Sequence, residues 1–271
     1  MKELPLYSDK KNDAILLSLS KSLQTFVHEA GYTRVVLGLS GGIDSALVLA
    51  IAVHALGSEN VHAIFMPSLY TTSESKQCVR ELVDIFEVEL HVLPIQHLLS
   101  TYINEYESMS IGSVEGIALE NLQARIRATI LMTYSNLNKA LLLATGNKSE
   151  LSVGFCTLYG DTCGAIAPIG DIYKTHVYTL AKRCSNVYSK YMPELLFTKS
   201  PSAELAYEQR DEDRLPPYHI LDSLLYAIEQ GEAIDNTKYE EEYIQQTQKL
   251  YQEALFKQRF YPPVLSIEDI E

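Results

Sequence analysis

Leu37-Gly38-Leu39-Ser40-Gly41-Gly42-Ile43-Asp44-Ser45 is the stretch around which the chain is organised. Ahead of it, Arg34-Val35-Val36-Leu37-Gly38-Leu39 reads as an apolar strand, and behind it Ala46 to Leu56 reads as a helix with almost no polar residue. Two adjacent glycines between strand and helix let the backbone bend where a Cβ would clash. They also leave N–H groups facing outward at the positive end of the new helix, an anion site suited to phosphate. Ser40 and Ser45 add hydroxyls. Asp44 adds a carboxylate, which makes sense beside phosphates if it holds Mg²⁺. The competing reading is that Asp44 or Ser45 simply caps the helix. The loop contains neither Gly-x-x-x-x-Gly-Lys-Ser/Thr nor Gly-x-Gly-x-x-Gly, so it differs from the loops that grip a γ-phosphate or a dinucleotide.

Working outward, strands alternate with helices. The periodicity predicts helix at 12–30, strand at 34–39, strand at 61–66, helix at 74–86, strand at 90–93 and helix at 95–106. A Ser- and Gly-containing loop at 107–118 precedes a helix at 119–136 and a strand at 140–145, which runs into Gly146-Asn147-Lys148-Ser149-Glu150. This alternation implies an α/β fold, an open parallel sheet with helices on both faces. In such sheets ligands bind at the carboxyl ends of the strands, where 40–45 and 145–150 both fall. Beyond 155 the pattern changes. A Gly-rich irregular stretch at 159–173 leads to a helix at 174–190, a long polar loop at 198–217 and further helices near 218–230 and 237–257, with an extended tail. Loops of that length usually serve as lids or are disordered.

The 271 residues suit one large domain, 1–271, with 46% hydrophobic and 21% charged content. No stretch reads as a membrane span or an export signal. The net charge of −13 argues against a nucleic-acid partner, which a basic surface would serve, and favours a small-molecule substrate. Cys78, Cys156, Cys163 and Cys184 form no Cys-x-x-Cys, so no zinc signature appears, and they read as reduced thiols of a cytoplasmic protein. The seven histidines are scattered without metal-ligand spacing.

Ser-Gly-Gly-x-Asp-Ser after a strand resembles the pyrophosphate loop of the N-type ATP pyrophosphatases, which split ATP between its α and β phosphates. Further stretches resemble one family of that group, NAD synthetase. They are Glu120-Asn121-Leu122-Gln123-Ala124-Arg125-Ile126-Arg127, Thr145 to Glu150 with Val153-Gly154, Tyr159-Gly160-Asp161, Lys174-Thr175 and Pro201-Ser202-Ala203-Glu204-Leu205. The similarity is collinear over nearly the whole chain and is closest to the synthetase domain of the glutamine-dependent type. It implies an adenine-nucleotide α-hydrolase-like sheet with extra C-terminal helices.

The resemblance implies amidation of deamido-NAD to NAD through an adenylated carboxylate, releasing AMP and pyrophosphate; the alternatives are another ATP pyrophosphatase acting on a different acceptor, or a non-catalytic nucleotide-binding module. It makes Gly38, Leu39, Ser40, Gly41, Gly42, Ile43, Asp44, Ser45, Thr145, Lys174 and Ser202 the ATP contacts, with Asp44, Glu150 and Lys174 catalytic. It makes Asp44 and Glu150 the Mg²⁺ ligands, and Asn121, Arg125, Asp161 and Lys257 the substrate contacts. The residues alone leave other readings open: Glu150 or Lys174 as helix-start charges, Lys257 as a cation at a helix end, Asn121 and Arg125 as a solvated stripe. Leu158, Ala165 and Phe256 stand where ammonia-dependent members carry lysine, aspartate and histidine. Yet only about 35 residues precede the first strand, too few for a glutaminase domain. The implied nitrogen source is therefore free ammonia or a separate glutaminase. An excised domain is the remaining option, which the start at Met1 argues against. The family also implies a homodimer, with helices 12–30 and 119–136 as candidate interfaces. The loop at 198–217 is expected to be mobile without ligands and to close over ATP.

Overall fold

The computed structural model describes residues 4–234 and 237–267. Four parallel strands lie in the order β3-β2-β1-β4, namely β1 (Arg34–Gly38), β2 (Val61–Phe65), β3 (Glu89–Val92) and β4 (Ala140–Leu143). The parallel sheet expected from the alternation is present. Val35, Val36 and Leu37 are fully buried, because alternate residues of a central strand face opposite layers. Val35 and Leu37 join a core with α1 (Asp9–Glu29), α2 (Ile43–Leu56), α3 (Ser73–Phe86) and α7 (Lys174–Tyr188). Val36 faces the other way, toward Leu99 of α4 (Gln96–Ser108) and Ile126 of α5 (Gly116–Asn138).

β1 sits between β2 and β4, so the chain leaves its carboxyl end where the strand order reverses. Loops diverge at that point and open a crevice. The loop after β1 and the turn into α6 (Lys148–Ser152) flank it. The irregular stretch after 159 extends the sheet by two isolated parallel bridges, Leu143 with Ile166 and Ala167 with Val264. Gly164 permits this approach, since a Cβ there would stand 2.7 Å from the Ala144 nitrogen.

Beyond α7, the short α8 (Leu195–Thr198) leads into the polar loop, and α9 (Tyr218–Glu229) and α10 (Glu241–Ala254) build a satellite core around Tyr218, Leu221 and Leu225. Boundaries differ from expectation where caps decide them. The Ser8 hydroxyl accepts the Lys11 amide and starts α1 earlier, at Asp9. Likewise α10 ends at Ala254, so Lys257 belongs to a following 3₁₀ turn, Lys257–Phe260.

Candidate active site

The loop after β1 keeps its backbone free for a ligand. Gly42 is the N-cap of α2 and no side chain caps that helix, so neither Asp44 nor Ser45 plays the capping role. The buried Ser45 hydroxyl instead donates to the Gly42 carbonyl at 3.0 Å and lies 3.1 Å from the Ser40 hydroxyl. Both hydroxyls therefore brace the loop. Among the described residues, the amides of Gly41, Ile43 and Asp44 find no protein partner. Gly41 has φ +82°, and a Cβ on it would lie 2.4 Å from the Ser75 carbonyl oxygen of α3. Only glycine fits there.

Asp44, Glu150 and Lys174 meet, although three separate elements supply them. Lys174 opens α7, is only 3% exposed, and its ammonium lies 2.5 Å from Asp44 Oδ2 and 3.2 Å from Glu150 Oε1. Burial alone would lower the lysine pKa, but Asp44, Glu150 and Asp211 together hold it above the ordinary lysine value. Burial pushes Glu150 well above the usual carboxylate range; Lys174 opposes this and Asp44 adds to it. The Lys174 charge is thus directed at carboxylates rather than standing free at the helix start.

Asn147, fully buried, orients the pair. Its Nδ2 donates to Asp44 Oδ1 at 2.9 Å, and its Oδ1 accepts the Glu150 amide at 3.1 Å. Glu150 returns a contact to the Asn147 amide, completing a capping box, so it is at once a helix-start residue and a site carboxylate. Behind them Asp222 of α9 ties two helix starts together. It accepts from the Ser149 hydroxyl at 2.5 Å and from the Thr175 amide and hydroxyl at 2.9 and 2.8 Å.

A cavity of about 270 Å³ opens above this cluster. Gly38, Leu39, Ser40, Gly42, Ile43, Asp44, Ser45, Thr145, Glu150, Asp161, Lys174 and Ser202 line it. Gly41 lies beneath, against α3. Arg127 and Asp211 also line it. Burial draws the Arg127 guanidinium down to about 10, and its Nε donates to the Met66 carbonyl at 3.1 Å. Asp211 is 4% exposed and its Oδ1 has no hydrogen-bond partner among the described residues. Three carboxylates with an orphaned oxygen therefore surround one ammonium, a donor set that fits an oxygen-seeking Mg²⁺. Asp44 and Glu150 would hold it.

Asn121, Arg125 and Lys257 are not among the cavity-lining residues. Together with Asp161 they converge on segment 154–161. Asn121 Oδ1 accepts the Thr157 hydroxyl at 2.6 Å, and Arg125 Nε donates to the Leu158 carbonyl at 3.2 Å. Lys257 donates to the carbonyls of Gly154 and Cys156 at 2.7 and 2.9 Å, not to the end of α10. Asp161, open to the cavity, accepts the Thr157 amide at 2.7 Å, and its surroundings push its carboxyl up to about 6, burial outweighing that bond.

The polar loop is clasped over the cavity. Glu204 accepts from the Ser75 hydroxyl at 2.6 Å and the Thr72 hydroxyl at 2.8 Å, and Arg214 forks onto Glu120 at 2.7 and 2.6 Å. Ser202 accepts the Glu204 amide at 3.1 Å.

Against known proteins, the NAD synthase family model matches residues 15–261. The chain belongs to the NAD synthase family. The glutamine-dependent NAD(+) synthetase of Aquifex aeolicus is 48% identical over 216 residues, which are 80% of this chain and 38% of that protein. The chain spans well under half the length of the curated relatives it matches, 44% for the Synechocystis protein. The solved NH3-dependent NAD synthetase from Campylobacter jejuni has a TM-score of 0.75 at 29% identity, covering 96% of this chain and 100% of that one. The NMN synthetase structure from Francisella tularensis has a TM-score of 0.79 at 24% identity over 93% of this chain and 97% of that one, a likeness of fold.

Within this NAD synthase fold, sequence reading missed Asn147, Asp211 and Asp222 as parts of the site. Asn147 carried a signal, an Asn three residues before a Glu at a helix start. Asp211 and Asp222 carried none, because each acts on residues far away in the chain.

Proposed function

We propose that the chain catalyses ATP-dependent amidation of deamido-NAD to NAD, with ammonia as the nitrogen donor. A carboxylate is a poor electrophile. Its oxygen first attacks the α phosphorus of ATP, the bond to the β phosphate breaks, and pyrophosphate leaves. Ammonia then attacks the acyl carbon, the bond to AMP breaks, and the lost proton passes to solvent. Positioning and stabilisation of phosphate charge supply most of the catalysis in such transfers.

The free amides of Gly41, Ile43 and Asp44 cradle the departing pyrophosphate, with the Lys174 charge beside them. Asp44 and Glu150 hold Mg²⁺, which when bound neutralises phosphate charge. The loop at 198–217 excludes water from the adenylate while it awaits ammonia. Segment 154–161, braced by Asn121, Arg125, Asp161 and Lys257, shapes the acceptor side. The observation that carries this reading is the Asp44–Lys174–Glu150 constellation at the mouth of the phosphate loop.

The chain is proposed to act as a cytoplasmic homodimer. The α1 stripe is spent on the core, with Ile15, Leu16 and Leu23 fully buried, whereas α5 leaves Ile117 and Leu137 67% and 77% exposed. α5, with Ile117 and Leu137 near its two ends, is therefore the candidate interface helix rather than α1, checked by mass from light scattering.

Incubation of the purified chain with ATP, Mg²⁺, deamido-NAD and ammonium is expected to yield NAD, AMP and pyrophosphate together. Replacing ammonium by glutamine is expected to give no NAD unless a glutaminase is added. Absence of NAD with ammonium, or pyrophosphate release without deamido-NAD, overturns the proposal.

A further inference from the structure

The sheet end opposite the phosphate loop carries a second cluster. His62 of β2 and Glu89 of β3 are register partners, and Ile64 pairs with His91. Alternate strand positions share a face, so His62, Glu89 and His91 project together. Tyr134 of α5 covers them, its ring centroid 5.6 Å from His62 and 5.1 Å from His91. His62 Nδ1 lies 3.2 Å from Glu89 Oε2, and His91 Nε2 lies 3.2 Å from Glu89 Oε1. The three ligand atoms fall within 4.8 Å of one another.

Hydrogen bonds join His62 to Glu89 and His91 to Tyr134, and leave the approach of His91 to Glu89 unserved. His91 Nε2 faces the Glu89 carboxylate and, at 2.9 Å, the Tyr134 hydroxyl. A ring nitrogen offers one proton or one lone pair, so it serves one of these neighbours fully and not both. Both imidazole-to-carboxylate distances exceed the roughly 2.7–2.9 Å of charge-assisted bonds. Tetrahedral zinc with N and O ligands at roughly 2.0–2.2 Å sets those ligands about 3.3–3.5 Å apart; the two rings now face different oxygens of Glu89, each at 3.2 Å, so a small turn of the carboxylate brings one oxygen into reach of both. His62 is only 8% exposed and its Nε2 has no hydrogen-bond partner among the described residues, so Nδ1 is the polar atom of the ring that finds one, and it faces the cluster.

We propose that His62, Glu89 and His91 form a binding site for a divalent transition-metal ion of the zinc class. Two imidazoles and one carboxylate select such an ion over Mg²⁺, which prefers oxygen. His62 is the second residue of β2 and Glu89 the first of β3, so the site lies at the amino ends of the strands, away from Asp44. The ion staples the edge strand β3 to β2 and takes no part in amide formation. In sequence the ligands show no metal spacing; parallel pairing alone brings residues 27 apart into contact.

The test uses the full chain, free of affinity tags and stripped by a chelator, titrated with Zn²⁺ in excess Mg²⁺ against a chromophoric chelator. One Zn²⁺ per chain is expected, with a rise in melting temperature. His91→Ala and Glu89→Gln alter positions that are not buried, so both variants should fold, as circular dichroism will verify. Each is expected to weaken Zn²⁺ at least about tenfold, the cost of losing even an outer partner of a metal site, and to abolish the thermal shift. Asp44→Asn should leave Zn²⁺ binding unchanged. No stoichiometric binding, equal affinity in both strand variants, or loss of Zn²⁺ through Asp44→Asn instead overturns the proposal.

Discussion

The Lys174 ammonium stands 2.5 Å from Asp44 Oδ2, a contact that joins the starts of two helices 130 residues apart in the chain. Asp44 is thereby held beside the phosphate loop and within reach of Glu150. Lys174→Met removes the cation and leaves Asp44, Glu150 and Asp211 facing one another. Breaking a buried pair by deleting one partner costs about 3–5 kcal/mol. The variant is expected to melt well below the wild type and to regain more stability from added Mg²⁺ than the wild type does. Thermal denaturation with and without Mg²⁺ checks this; a variant as stable as the wild type and indifferent to Mg²⁺ would contradict it.

Gly41→Ala places a Cβ 2.4 Å from the Ser75 carbonyl oxygen at φ +82°. Strain of this kind costs about 1–3 kcal/mol, and the loop must move to relieve it. Calorimetry should register weaker ATP binding while far-ultraviolet circular dichroism stays unchanged. Unaltered ATP affinity would mean that the loop conformation does not matter for binding.

The clasp on the polar loop is open to proteolysis. Glu204 has φ 51°, so its backbone is held against preference by its bonds to Thr72 and Ser75. Lys199, Arg210 and Arg214 offer trypsin three sites in the loop. Glu204→Ala should be cut severalfold faster, and ATP with Mg²⁺ should protect the wild type. Equal cleavage with and without nucleotide would remove the lid from the account.

His176 follows Lys174 by two residues and anchors the N-terminal segment, with its Nε2 donating to the Pro5 carbonyl at 2.9 Å and its ring stacked on Tyr7 at 4.4 Å. Burial depresses its pKa below 6.5, only partly offset by the Pro5 bond. The fold therefore favours the neutral ring. Its contribution to stability is complete above pH 6.5 and is lost as pH falls through the depressed value. Urea unfolding at pH 7.5 and 5.0 should show a smaller acid loss in His176→Gln than in the wild type. Identical losses would contradict the assignment.

Much of this was legible in the order of residues. The strand before Ser40, the glycines after it and the turn before Glu150 are local signals, and a parallel sheet must place their ends on one edge. Asp211 and Asp222 were not legible. Asp211 sits in a polar run that reads as solvated, yet the loop folds inward and buries it. Asp222 falls within an ordinary helical pattern, and only the docking of α9 aims it at Ser149 and Thr175. His62 and His91 escaped for the same reason: strand register, not spacing along the chain, makes them neighbours.

The central claim is that Asp44 and Glu150 together would hold the Mg²⁺ that neutralises the charge of the leaving pyrophosphate. Asp44→Asn and Glu150→Gln change charge with little change in shape. With ATP, Mg²⁺, deamido-NAD and ammonium present, each is expected to slow pyrophosphate release at least about a hundredfold, a loss typical of removing transition-state charge stabilisation. Pyrophosphate release at near wild-type rates from both folded variants would contradict the account.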